Sequence, residues 1–179
     1  MDFQILIFFV IATAGLAFSP GPDNIFVLIQ SAIHGKRTGM AVVMGLMTGC
    51  LIHTSLIAFG LSTFVQSNEG LYFILKLFGS SYMLFLAFKV YKFNINFNQD
   101  HKSLQCYGFY ELFKQGFVMN VLNPKVSVFF LAFFPAFLFS ETMELYKQFY
   151  FLGFLFILTS FSVFSCYVLL SSYFSKLFL

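Results

Sequence analysis

The chain has 179 residues, of which 59% are hydrophobic and only 9% charged, with a formal net charge of +3. A soluble domain carries roughly 25% charged residues, so a water-facing surface cannot be covered here, which argues against a soluble globular protein. The small net charge and the lack of any basic block argue against a nucleic-acid partner. Cys50, Cys106 and Cys166 are odd in number and widely spaced, which fits no metal or redox motif, and no cofactor is expected.

Hydrophobic segments follow one another along the chain. The first runs from about Phe3 to Ile33 and is interrupted at Ser19 to Pro22. It opens without a basic n-region or an A-x-A site, so no cleaved signal peptide is expected. The second runs from about Gly39 to Val65 and the third from about Leu71 to Tyr91. A polar stretch from about Lys92 to Gly108 follows. The fourth runs from about Tyr110 to Phe139, interrupted at Asn123-Pro124, and the fifth from about Phe149 to Leu170. The tail from Ser171 is too short for another span. Segments of this kind approach the ~20 residues that cross a bilayer. The expectation is an all-α, polytopic membrane bundle of about five spans. Lys36 and Arg37 in the first loop, and Lys89, Lys92, Lys102 and Lys114 around the third, place those loops and the C-terminus in the cytoplasm and the N-terminus outside.

The two interruptions carry the functional signal. Proline removes a backbone donor and opposes a continuous helix, and a freed polar group is expensive in hydrocarbon. Breaks at membrane depth persist where they line a cavity, and paired breaks in corresponding halves mark a secondary transporter's binding site. Sliding the second half back by about 104 positions lays Asn123-Pro124 on Ser19-Pro20. The resulting units are 1–91, a three-helix repeat, and 110–179, a second, incomplete one. They are joined by a cytoplasmic linker, 92–109. Three helices in the first unit make the two repeats inverted.

Candidate site residues cluster at these breaks. An ionisable residue inside a span is costly and usually faces the bundle interior. Asp23 reads either as a cation or proton site or as a carboxylate capping the helix that restarts beside it. Lys125 reads as the counter-charge of Asp23, as a ligand for a substrate carboxylate, or as a lysine snorkelling to an interface. Gly116, Asn120, Asn123 and Ser127 share a helical face, as do Gly15, Ser19 and Asp23. Such polar stripes line a cavity or glue helices together. Gly45-x-x-x-Gly49 permits close helix approach. His53, near mid-span, reads as a proton relay or as a hydrogen-bonded packing residue. The 30 phenylalanines read as lipid-facing filler.

The motifs together resemble the LysE/RhtB family of amino-acid exporters. The likeness lies in Phe18-Ser19-Pro20-Gly21-Pro22-Asp23-Asn24, in Gly35-Lys36-Arg37-Thr38-Gly39, in Gly45 with Gly49, in Lys76 to Met83, and in Phe113 to Phe117 through Asn120-Val121-Leu122-Asn123-Pro124-Lys125 to Pro135. It implies a multi-pass protein of the bacterial inner membrane, not an enzyme, that exports a small amino acid or close derivative in exchange for protons. It gives Ser19, Pro20, Gly21, Pro22 and Asp23, with Asn120, Asn123, Pro124 and Lys125, a role as paired central elements. Family members usually continue with a further span, so a short form lacking the final helix is expected. The alternatives are then a transport-inactive relic or a chain completed as a homo-oligomer. An intramembrane enzyme is a third reading, for which the sequence offers no nucleophile and base.

Overall fold

A computed structural model of the chain describes residues 3–61, 70, 73–74, 77–78, 81, 84–85, 88 and 107–178. Among the described residues, all regular structure is helical. The third predicted span lies mostly outside them, as do residues 92–106 of the predicted linker.

The first interruption separates α1 (Phe3–Phe18) from α2 (Pro22–His34), and their axes bend by 64°. At 1.5 Å per residue the two halves measure about 24 and 20 Å, each shorter than a hydrocarbon core of about 30 Å. Neither half is long enough to cross alone, and the bent pair together has the length and composition of one span. α3 (Lys36–Leu56) follows directly and loosens into a π-turn at Ile57–Leu61. Only Gly35 separates α2 from α3. Its φ of 88° lies in the left-handed region that favours glycine. Thr38 Oγ1 clamps the corner, donating to the carbonyls of Gln30 and Gly35 at 2.9 and 2.7 Å.

The second broken helix comprises α4 (Phe109–Val121) and a restart, α5 (Pro124–Val128), bent by 47°. The restart is irregular. α5 passes into a π-turn at Phe129–Phe133 and a 3-10 turn at Phe134–Phe137. Pro135 explains this: it lacks an N–H, and its ring presses on the preceding turn, so an α-helix cannot run through it. Gln148 closes the loop that follows. Its Oε1 accepts from the Phe139 and Ser140 amides at 3.0 and 3.1 Å, and its Nε2 donates to the Ser140 and Met143 carbonyls at 2.8 Å.

α6 (Leu145–Phe178) exceeds the predicted fifth segment at both ends. The predicted tail is its last turns. Nothing in it breaks a helix, and Ser171 and Ser175 donate to the Leu28 and Ala32 carbonyls of α2 at 2.8 and 2.6 Å. α6 is therefore fastened along α2, running in the same direction.

Packing fixes the remaining directions. Gly45 of α3 lies against the Phe113 carbonyl, and Gly116 of α4 against the Val42 carbonyl. A side chain at either would collide with backbone, so the small residues set the closeness of this crossing, as Gly45 and Gly49 predict. Pairing of Val42 with Gly116 and of Gly49 with Asn120 makes α3 and α4 run the same way. Thr54 and Ser55, late in α3, meet Gly153 and Tyr150, early in α6. The starts of α3 and α4 and the end of α6 thus share one end of the bundle, and the loop before α6 lies at the other.

Apolar side chains face both ways. Phe3, Phe8, Phe59 and Phe154 are exposed on the outer surface, as lipid contact requires. Phe9, Phe129, Phe130, Phe134 and Phe149 are fully buried. Phe130 and Phe134 stack at 4.2 Å, and the Phe9 ring meets Phe134 edge-on at 5.2 Å. Phenylalanine is therefore core as well as lipid-facing filler. It packs around the irregular restart, where aromatic area substitutes for regular helix geometry.

Candidate functional site: a charge pair where two helix breaks meet

A helix end leaves carbonyls without partners, and a membrane interior supplies no water to take them. At the end of α1 three successive carbonyls are each satisfied by a side chain. Asn24 Nδ2 donates to Ala17 O at 2.6 Å across the break. Tyr167, from α6, donates to Phe18 O at 3.2 Å. Lys125, from the other break, donates through Nζ to Ser19 O at 2.9 Å. The Lys125 contact brings the two breaks together.

Asp23 stands beside it, with Lys125 Nζ 4.0 Å from Oδ1 and side-chain exposures of 4% and 7%. Both charges are inside the protein, so Lys125 does not snorkel to an interface. Nor does Asp23 serve as a cap: the N-cap of α2 is Gly21, and no side chain caps it. Lys125 stands as a counter-charge to Asp23. Asp23 Oδ1 has no hydrogen-bond partner, and neither do Asn24 Oδ1 and Asn123 Nδ2. Gly21 explains how these groups converge. A side-chain carbon added there would stand 2.7 Å from Asp23 Oδ1, 3.3 Å from Lys125 Nζ and 3.8 Å from Asn24 Oδ1. Glycine keeps that space for the polar atoms.

The second break is held differently. Asn123 is the N-cap of α5, its Oδ1 accepting from the Lys125 amide at 3.0 Å, with Pro124 at the first helical position. Its carbonyl takes the Ser127 hydroxyl at 3.1 Å. His53 Nε2 lies 3.2 Å from the Asn120 carbonyl; facing a carbonyl, it must be the donor. His53 thus caps the end of α4 as Tyr167 caps the end of α1.

The helix starts also correct the register between the halves. Gly21-Pro22-Asp23 and Asn123-Pro124-Lys125 hold the same N-cap, first and second helical positions, 102 residues apart. The slide of 104 matched the wrong proline, because the first break carries an additional Pro-Gly. In the corrected register Asp23 and Lys125 occupy equivalent positions.

Neither predicted stripe persists as one continuous face. Gly116 and Asn120 face α3, where Asn120 Nδ2 lies 3.5 Å from Cys50 Sγ. Gly15 is exposed on α1, because the bend ends the face it would share with Asp23. Ser19, Pro20 and Gly21 form the break itself. Sequence reasoning missed Tyr167, the role of Asn24 beside Asp23, and Gln148. Asn24 lay inside the quoted motif and carried the available signal. Nothing local marks a tyrosine 149 positions from its partner.

Comparison with known proteins decides the family. A model of the LysE type translocator family matches residues 14–179. The chain belongs to that family. Among similar curated proteins, the homoserine/homoserine lactone efflux protein of Salmonella typhimurium is 31% identical over 153 residues, 86% of this chain and 73% of that protein. The homoserine/homoserine lactone efflux protein of Salmonella typhi matches to the same extent. The leucine efflux protein of Salmonella choleraesuis is 27% identical over 119 residues, 66% of this chain and 56% of that protein. No solved structure matches. The protein is thus a helical membrane translocator, not an enzyme. Among the described residues two helices are long and apolar enough to cross a membrane, or four spans if each bent pair is one.

Proposed function

We propose that this translocator exports a small amino acid or close derivative across the bacterial inner membrane in exchange for protons. The observation that carries the reading is the buried Asp23–Lys125 pair at the junction of the two breaks. A zwitterion presents an ammonium and a carboxylate a few bonds apart, and adjacent opposite charges offer a counterpart to each. The names of its relatives, efflux proteins for homoserine, homoserine lactone and leucine, support the same substrate class. Asp23 is the buried carboxylate available to hold the substrate's ammonium.

Sidedness follows from charge. The end of the bundle that begins α3 and α4 carries Lys36, Arg37 and Lys114 and is assigned to the cytoplasm. Single cysteines at Lys36 and Glu141 then label from opposite sides of the membrane, and labelling from one side removes the assignment.

The test of export is efflux from preloaded proteoliposomes, beginning with L-homoserine and L-leucine and extending to a wider panel. Efflux that collapses with the proton gradient and drops about tenfold or more in Asp23→Asn supports the mechanism. Folded protein that moves no amino acid in the panel favours a transport-inactive membrane protein.

A further inference from the structure

A buried ammonium, Lys125 Nζ, stands beside Gly21 and donates to the Ser19 carbonyl. Three acceptors surround the space beside Gly21. Ser19 O is a carbonyl released by the break. Asp23 Oδ1 is buried and without a hydrogen bond. Asn24 Oδ1 is likewise buried and unpartnered. The orientation of Asn24 is not free. Its Nδ2 must face the Ala17 carbonyl, to which it donates at 2.6 Å, so the oxygen is the atom presented. One carboxylate and two neutral oxygens suit a group with three N–H donors. Lys125 Nζ is such a group and lies among them, reaching from the other half of the chain.

The geometry points to an ammonium subsite formed by Ser19 O, Asp23 and Asn24, in which Lys125 is a tethered stand-in for the substrate's own ammonium. The inference rests on the export reading and names the chemistry of the same site. An incoming zwitterion places its ammonium against Asp23 and the Ser19 carbonyl, and the displaced Lys125 ammonium turns to the zwitterion's carboxylate. Every charge keeps a partner, and no net charge is added to the apolar centre. After release, Lys125 returns to Asp23, and the unloaded protein reverses direction without an uncompensated carboxylate in its middle. Lys125 is thus needed most on the unloaded leg of the cycle.

Two transport modes separate this from a lysine that only binds carboxylate or only holds the fold. Net efflux needs the unloaded return. Counterflow, with the same amino acid at saturating concentration on both sides, does not. The probes are L-homoserine and L-leucine in proteoliposomes of the full chain. The variants are Lys125→Met and Lys125→Gln, the second retaining a neutral donor for the Ser19 carbonyl should the first fail to fold. Because Lys125 also holds an amino acid's carboxylate, the variants are compared with L-homoserine lactone, an amine without one: its net efflux is expected to fall about tenfold or more, the cost of an unpaired buried carboxylate on the return leg, while its counterflow stays within about threefold of the unmodified protein. Equal loss of both modes, in either variant that folds, overturns the tethered-cation role and leaves export standing. Failure of the unmodified protein in both modes overturns export itself, and the inference with it.

Discussion

The two half-helix starts share a backbone plan and differ in the sign of the charge they carry. Each opens with an N-cap residue, a proline and a charged residue at the second position. At α2 the charge is Asp23, an acid in the first turn, where the helix dipole favours it. At α5 it is Lys125, a cation where the dipole opposes it, a misplacement of about 0.3–1 kcal/mol. Lys125 does nothing for its own helix through charge; its ammonium reaches the carbonyl and carboxylate of the other break. Local stability explains Asp23, and only the meeting of the two breaks explains Lys125. The length of the restarts differs in the same sense. α2 continues for 13 residues, whereas α5 is regular for five. The two restarts are therefore unequal as dipoles, and Asp23 and Lys125 carry the charge at the junction.

Charge reversal should break this comparison most severely. Asp23→Lys leaves two cations, and Lys125→Asp two carboxylates, in a space with little water, at about 3–5 kcal/mol for each broken pair. Neither single variant is expected to yield monodisperse protein. The double exchange restores a pair and should recover the fold. It should not recover full efflux, because the cation would then be anchored on α2 and could not reach across from the other half. Efflux equal to that of the unmodified protein in the double variant would show that the pair is a structural clamp alone.

The sequence displayed the breaks because proline and polar residues inside apolar runs have few other causes. It displayed the α3–α4 contact because Gly45, Gly49 and Gly116 keep helical spacing. It concealed what depends on distant partners. Tyr167 sits in an apolar helix with nothing nearby to mark it, and its partner is a backbone carbonyl, which has no sequence identity. The register slipped by two because the proline-rich first break offers two prolines, and only the helix start selects between them. The face of Gly116 and Asn120 left two readings open because a polar stripe looks the same whether it faces a cavity or, as here, a cysteine and a glycine of α3.

The N-cap positions should respond next most strongly, and differently. Gly21→Ala inserts a carbon 2.7 Å from Asp23 Oδ1 and 3.3 Å from Lys125 Nζ. It should weaken the helix start somewhat, since alanine is a poorer N-cap than glycine, and lower efflux about tenfold by displacing both charges. Asn123→Ala removes the acceptor of the Lys125 amide and should cost about 1 kcal/mol of stability. Thermal unfolding in detergent and efflux, measured on both variants, separate the effects. A Gly21→Ala variant that exports normally would place the substrate path away from this space.

The smallest effects belong to the two braces, His53 and Tyr167. Each supplies one hydrogen bond to a carbonyl beside a break, and each comes from a helix of the opposite half; the Asn120 carbonyl also accepts the Asn123 amide. Such bonds inside membrane proteins average about 0.6 kcal/mol, so Tyr167→Phe should lower stability by that order and leave efflux near normal. His53→Gln is the sharper variant, because an amide donor still reaches for the Asn120 carbonyl but carries no titratable proton. If His53 is a brace, as its contacts with the Asn120 carbonyl and the Phe130 ring indicate, efflux through His53→Gln remains driven by the proton gradient. If His53 passes protons to Asp23, the variant transports without responding to that gradient while remaining as stable as the parent. Efflux measured with and without an imposed pH difference decides between them. The brace reading predicts that the response to the gradient is unchanged, and with it that the two breaks differ in charge at one pair of positions, Asp23 and Lys125, and are held open by the same kind of neutral donor.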